Sequence, residues 1–255
     1  MQPKPVFELP HYQLLNETRE AFLKELLPAW IRELDLKSAI DVGCGQGYFS
    51  GTLQSLGLDV TACDGRRENI EIAARNHPGV NFRVANAEDP ALATLGKFDL
   101  TFCFGLLYHL ENPLIAIRNL QGLAGKILML ESVCIPGDRA ILDLRDEGKT
   151  EDQGLNFVAF YPTEACLVKM LHCAGFPHVY RFRRMPDHED FREGRTQGRV
   201  RTIMTASRAP LNFPILAEAS DPPQVVNPWA TGWGKVRGSA HVLRNALRPV
   251  KEKTD

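Results

Sequence analysis

The chain has 255 residues, 44 % of them apolar and 24 % charged, a balance that suits a folded globular protein and excludes a mainly disordered or fibrous one. Thirty Lys and Arg against 31 Asp and Glu leave a formal net charge of −1, so no overall basic field draws the protein to nucleic acid or to an anionic membrane. The first residues lack the apolar stretch of a secretory signal, and no segment approaches the ~20 apolar residues of a membrane span. Six scattered cysteines without a C-x-x-C pair predict a reducing, cytoplasmic setting rather than a disulfide framework or zinc cage. The seven dispersed histidines predict no metal site.

In residues 11–34, Leu15, Thr18, Phe22, Leu26 and Leu27 fall at spacings of three and four, with Arg19, Glu20, Lys24 and Glu25 between them. This predicts a helix that Pro28 kinks or divides. Strands and helices then alternate. Ser38–Val42 is a short apolar run, followed by a glycine-rich turn and a helical pattern to about Leu56. Leu58–Cys63, Val80–Ala85, Phe98–Phe104 and Lys126–Glu131 read as four more strands, with helices at Arg67–Asn76 and Asn112–Leu120, the latter opened by Asn-Pro. The strands are near-continuous apolar runs, which indicates burial on both faces and hence a parallel sheet between helices.

Residues 132–160 show no clear period. Thr163 opens a helix that Gly175 closes, and Val179–Phe182 and Val200–Ala206 read as two last strands around a charged stretch. Beyond Ser207 come six prolines and, from Lys235, six basic residues against two acidic ones. The chain therefore divides into an N-terminal helical cap (1–36), an α/β domain (37–208) and a Pro-rich, basic appendage (209–255).

The chemistry starts at residues 41–50, DVGCGQGYFS, where strand, glycine turn and helix follow in order. Gly43, Gly45 and Gly47 let the backbone pass close to a ligand and adopt positive φ, and the next helix offers its N-terminus. The spacing is G-x-G-x-G, with Tyr48 where a dinucleotide site needs its third glycine, so a pyrophosphate ligand is disfavoured. Asp64 ends the second strand nineteen residues past Gly45, placed to accept ribose hydroxyls. The third strand runs into Asn86-Ala87-Glu88, and the fourth opens with Phe-Asp.

These features resemble the Rossmann-like, class I S-adenosylmethionine-dependent methyltransferases, well over 38–131 and loosely to about Ser207. The resemblance implies a doubly wound, seven-stranded, mostly parallel sheet of order 3-2-1-4-5-7-6, the seventh strand antiparallel. It implies S-adenosylmethionine as cofactor, with Asp41, Gly43, Cys44, Gly45 and Gly47 at its methionine part and Asp64 at the ribose. Asn86, Ala87 and Glu88 fall near the adenine, with Arg66 as a stacking candidate, and Phe104 beside the methionine end.

The string from Gly105, G-L-L-Y-H-L-x-N-P-L, is similar to the branch that includes tRNA wobble-uridine carboxymethyltransferases. Tyr108 and His109 are the catalytic candidates. His109 has the proton affinity of a general base near neutrality, against the alternative that it orders its loop through a backbone carbonyl. Glu131, Asn156, Tyr161, His11 and Tyr12 are secondary candidates at the mouth. The arginines Arg181, Arg183, Arg184, Arg192, Arg195, Arg199 and Arg201 read as a surface hairpin laced with ion pairs, or as a phosphate-contacting patch. The expected function is methyl transfer to O, N or C of a small-molecule or glycan-like acceptor. The alternatives are a tRNA-modifying (carboxy)methyltransferase and a non-catalytic cofactor-binding partner subunit.

Overall fold

A computed structural model describes residues 9–148, 153–192 and 198–220. Arg195 and the tail from 221 on, including Trp229 and Trp233, lie outside the described residues. Helix α1 spans Pro10–Glu33 without interruption, so Pro28 does not divide it. The strands and helices that follow are β1 Ser38–Val42, α2 Tyr48–Ser55, β2 Asp59–Asp64, α3 Arg67–Asn76, β3 Asn81–Val84, β4 Phe98–Phe104, α4 Pro113–Leu123 and β5 Ala124–Cys134. The chain continues through β6 Leu142–Asp146, β7 Val158–Pro162, α5 Glu164–Cys173, β8 His178–Phe182, β9 Val200–Ser207 and β10 Leu216–Glu218.

The main sheet has the order β10-β8-β9-β5-β4-β1-β2-β3. Strands β1 to β5 pair in parallel, while β9 runs antiparallel to both β5 and β8. The expected seven-strand order is present, and β10 adds an eighth strand at the edge, antiparallel to β8. The continuous apolar runs are explained by two cores. Ala39, Leu100, Phe102, Ile127, Met129 and Ile203 face a cluster with α1, α2 and α3. Their neighbours Ile40, Cys103, Leu128, Leu130 and Met204 face the other cluster, with α4 and α5. Alternate residues of a strand point to opposite faces, so a sheet covered on both sides needs apolar residues at every position.

Two elements were not legible in the pattern. Residues 142–162 hold the ribbon β6–β7, with Leu144 opposite Phe160. Its strand β6 leaves Leu142 and Leu144 exposed and carries three charged residues, so no buried stripe marks it. Strand β10 is three residues long and follows a proline-rich stretch. It is held by Phe213, whose ring stacks on Trp30 at 4.7 Å, while Trp30 stacks on Phe182 at 5.9 Å. Among the described residues no helix is long and apolar enough to cross a membrane.

Trp30 thus joins α1, β8 and the segment leading into β10, and its side chain is 1 % exposed. Trp30→Ala removes a large ring from a closed core and should cost about 3–5 kcal/mol of stability. Urea unfolding followed by circular dichroism measures this; a loss below about 1 kcal/mol would show that the contact contributes little.

Candidate functional site

The order of the sheet reverses at β1, which has β4 on one side and β2 on the other. Ligands in open α/β sheets bind beyond the strand ends at such a switch point. Here the loops after β1, β2, β3 and β4 surround a cavity of about 440 Å³, within the size range of small-molecule sites.

The glycine loop forms one wall. Gly43 has φ +79°, and a Cβ there would sit 2.7 Å from Leu106. Gly47 has φ +88° and abuts His77, Ala73 and Phe82. Either position filled by a side chain would force the loop out of register with its neighbours. Gly43, Cys44 and Gly45 line the cavity, whereas Gly47 and Asp41 do not. Asp41 is buried beneath the loop and accepts a hydrogen bond from Ser50 Oγ at 2.7 Å. Burial, with a contribution from nearby Asp64, pushes the Asp41 carboxyl up to about 7. Burial likewise raises the Cys44 thiol, with Asp41 and Asp64 adding to the effect. A neutral thiol is a poor nucleophile, so Cys44 is a wall of the cavity and not a reactive group.

Asp64 ties the loop to β2. Its Oδ2 accepts from Gly45 N at 2.9 Å, and its Oδ1 accepts from Arg66 N at 2.8 Å and Asn69 Nδ2 at 3.2 Å. A carboxylate offers about four lone-pair directions, so these three donors leave one strong position for a ligand.

Asn86, Ala87 and Glu88 line the next part of the cavity. Asn86 Oδ1 already accepts from Glu88 N at 3.0 Å, and Ala87 O accepts from Asn119 Nδ2 at 2.9 Å. The Glu88 carboxylate accepts from Asn112 N at 2.6 Å, at the start of α4. These polar groups shape the wall through local bonds, and Asn86's second lone pair stays open. Arg66, a stacking candidate by sequence, donates its Nη2 to the carbonyls of Gln153 and Gly154. It thereby fixes the segment that enters β7 against the cavity.

At the far end Phe104 lines the cavity, stacked on Phe102 at 4.1 Å. Gly105, at φ +74°, would place a Cβ 3.8 Å from Arg19 Nη1 and Glu131 Oε2 and 4.0 Å from Tyr108 Oη. Tyr108 is 7 % exposed, and its hydroxyl accepts from Arg201 Nη1 at 3.3 Å. Burial is the largest influence on the Tyr108 phenol and raises it. Tyr108 is therefore neutral near pH 7 and acts as a wall and a hydrogen-bonding group, not a base.

His109 Nδ1 lies 2.5 Å from Glu147 Oε1. A carboxylate only accepts, so in the neutral ring Nδ1 carries the proton and Nε2 holds the free lone pair. Glu147 Oε2 also accepts from Gly154 N at 2.9 Å. His109 is thus oriented by a carboxylate from the β6–β7 ribbon, not by a backbone carbonyl.

The arginines divide sharply. Arg181, Arg184 and Arg192 pair with Glu164, Glu25 and Asp187, as expected of a surface hairpin. Arg201 instead turns inward to Glu131 at 2.8 Å and Asp190 at 3.2 Å. From the opposite side Arg19 reaches the same Glu131 at 3.2 Å. Arg19 belongs to the buried face of α1 with Leu15, Phe22 and Leu26, not to its polar face. Arg199 also lines the cavity, donating Nη1 to Tyr161 Oη at 3.1 Å, and its buried Nε has no hydrogen-bond partner among the described residues. A polar group left so costs about 1–3 kcal/mol.

Of the secondary candidates, Tyr12, Asn156 and Tyr161 line the cavity, and Asn156 Nδ2 donates to Glu111 at 2.8 Å. His11 Nε2 stands 3.6 Å from Asp190. Glu131 is fully buried behind the wall and does not line the cavity. Glu147, Arg19, Arg199 and Arg201 are the residues that sequence reasoning did not place. For Arg19 a signal existed, since it follows Leu15 by four and precedes Phe22 by three.

Residues 40–124 match the methyltransferase domain family. The architecture also matches solved structures. One is the N-terminal domain of EvdMO1 with S-adenosylhomocysteine bound, at TM-score 0.61 and 21 % identity, covering 79 % of this chain and 85 % of that one. The chain has the fold of a class I methyltransferase domain. A second structure with the same fold is the magnesium protoporphyrin IX methyltransferase of Synechocystis PCC 6803 with bound SAM, at TM-score 0.51 and 22 % identity, covering 75 % of this chain and 80 % of that one. By sequence the methyltransferase domain is similar to a ubiquinone biosynthesis O-methyltransferase of Colwellia psychrerythraea, at 30 % identity over 41 % of this chain and 46 % of that protein. A tRNA U34 carboxymethyltransferase of Tolumonas auensis is 29 % identical over 58 % of this chain and 47 % of its own length. The chain thus spans less than half of either relative.

Asp41 makes stability depend on pH. Its folded-state carboxyl is raised to about 7 from the ordinary aspartate range near 4, so folding is favoured while it is protonated and stability is lost as pH rises from about 4 through 7. The upper bound on that loss is on the order of 4 kcal/mol. Denaturant midpoints at pH 5 and pH 8 should show the drop in the wild type and a smaller one in Asp41→Asn; equal pH dependence would refute it.

Proposed function

We propose that the protein binds S-adenosylmethionine along the cavity and transfers its sulfonium methyl group to a nucleophilic O, N or C of a small acceptor. The observation that carries this reading is the continuity of the cavity. It runs from Asp64 and the Asn86–Glu88 wall, past the glycine loop, to Tyr108 and the His109–Glu147 pair. The residues present fit the cofactor. Three glycines at positive φ form the loop, an acid with one open lone pair stands at the ribose position, and Gly105 leaves a backbone cradle among Arg19, Glu131 and Tyr108.

When bound, the cofactor supplies an electrophilic methyl group, so no covalent protein intermediate is needed. The chain's task is placement and proton removal. Gly43–Gly45 and Gly105 hold backbone close to the ligand. Asp64 anchors one end, and Asp41 supports the loop from below. Tyr108, Tyr161 and Val133 exclude water at the acceptor end. Glu147 holds the His109 ring so that Nε2 takes the proton from a neutral nucleophile.

Calorimetry with S-adenosylmethionine, S-adenosylhomocysteine and NAD tests the site. Both sulfur nucleotides should bind saturably and NAD should not; binding of NAD alone, or of none, overturns the reading. Asp64→Ala should weaken S-adenosylmethionine by about ten- to a hundredfold, the value of a lost hydrogen bond to a charged group. An acceptor screen that follows S-adenosylhomocysteine release then separates the roles at the mouth. His109→Gln should lower turnover by about 10²–10⁴-fold with cofactor affinity unchanged, and Glu147→Gln should fall between it and the wild type. Retained turnover in His109→Gln would make His109 a loop residue.

An RNA acceptor is the second reading, supported by the similarity to the tRNA U34 carboxymethyltransferase. The pairing of Arg181, Arg184 and Arg192 with acids weighs against it. RNA binding that weakens steeply with salt would favour it.

A further inference from the structure

We infer that Arg199 is an anion-binding subsite of the acceptor pocket, so that the methyl acceptor is a planar acid whose carboxylate pairs with this guanidinium. The inference rests on reading the cavity as a methyl-transfer site and adds the chemical class of the acceptor.

The charges around the mouth are the starting point. Arg19 and Arg201 are matched by Glu131 and Asp190, through contacts of 3.2, 2.8 and 3.2 Å. That group is closed: two cations, two anions, all buried or nearly so. Arg145 lies over the Tyr161 ring at 4.9 Å, and it pairs with Asp143 at 2.8 Å. Arg199 differs from all of these. Among the described residues it has no carboxylate partner, and its one hydrogen bond is from Nη1 to Tyr161 Oη. Its guanidinium sits over the Tyr161 ring at 5.1 Å, and its buried Nε has no acceptor.

Arginine binds carboxylates side-on, with two parallel N–H···O bonds. With Nη1 engaged by Tyr161 and Nε closed to solvent, Nη2 is the donor left for a ligand carboxylate. The carboxylates that line the cavity, Asp64, Glu88 and Glu147, are engaged by other donors, and none pairs with Arg199 among the described residues, so an anion carried in by the ligand is its best counter-charge. The adjoining wall sets the rest of the ligand. Tyr108 and Tyr161 meet at 5.9 Å and 63°, and His109 packs on Tyr108 at 4.1 Å. Aromatic walls of this kind favour a flat ring or enol system. His109 lines the same cavity and is the base for the acceptor's hydroxyl.

A carboxylate at Arg199 has two chemical sources, the acceptor or a cofactor bearing an additional carboxyl group. The position favours the acceptor. The groups nearest Gly105, where the methionine end passes, are Arg19, Glu131 and Tyr108, and Arg199 is not among them. Arg199 instead stands with Tyr161, which β7 contributes.

Calorimetry on full-length protein loaded with S-adenosylhomocysteine tests the subsite, using hydroxybenzoates and the matching neutral hydroxybenzyl alcohols as probes. The wild type should bind the acids at least about tenfold tighter than the alcohols, the scale of one charge-assisted hydrogen-bonded pair. Arg199→Gln should abolish that preference and Arg199→Lys should keep part of it, while both variants bind S-adenosylhomocysteine like the wild type. Equal binding of acids and alcohols, binding of neither, or a preference that survives Arg199→Gln overturns the subsite. Titration of the unloaded protein with S-adenosylmethionine and its carboxylated counterpart distinguishes the sources. A preference for the carboxylated form that Arg199→Gln removes would assign the anion to the cofactor and overturn the acceptor assignment. Failure of the wild type to bind S-adenosylhomocysteine at all would sink the underlying reading instead.

Discussion

Glu131 ends up with no exposed surface at the carboxyl end of the central strand β5. A carboxylate there is tolerable only when matched by cations with good geometry. Arg19 supplies one from α1 and Arg201 the other from β9, so the beginning and the end of the domain are tied to one point. Removing either cation leaves a buried charge, a defect that typically costs about 3–5 kcal/mol. Asp190 and Tyr108 complete the group by occupying the rest of the Arg201 guanidinium. The helix that covers the cavity and the strand that closes its far side therefore take their places from the same electrostatic requirement.

A second constraint works at the opposite rim. Glu147 holds His109 with one oxygen and Gly154 with the other, and Arg66 grips the carbonyls of Gln153 and Gly154. One short segment is thus fixed to the loop after β4 and to the loop after β2. The Asp64 end and the His109 end of the cavity are coupled through it. Glu147, Gln153 and Gly154 are thus held beside the site by hydrogen bonds to loops, not by burial of a stripe.

Reading the sequence was effective where structure follows from local rules. Strands buried on both faces show as unbroken apolar runs, and glycines at positive φ announce a tight βα turn. Asp64 sits where the second strand must end, and the fourth strand leads directly to Tyr108 and His109. It was less effective where a residue's role depends on a distant partner. Arg199 and Arg201 are two of seven arginines with no local mark to separate them from Arg181 or Arg192, and Arg19 looks like part of a polar face. Glu147 lies in a charged stretch, 38 residues from the histidine it orients. Asp41 falls in the right motif, yet its carboxylate turns under the loop toward Ser50 instead of lining the cavity.

The sequence by itself determined the alternation of strands and helices, the parallel sheet, the glycine turn and the positions of its acidic partners. These depend on side-chain period, backbone freedom and turn chemistry, all of which act within a few residues. The tertiary structure decided which charges face the cavity and which face water. It made Glu131 a hidden anchor, Glu147 the orienting group of His109, and Arg199 the cation without a counter-charge among the described residues. The reason is that the fate of a charged side chain is set by what the fold brings within a few ångströms of it, and those neighbours come from segments far apart in the chain.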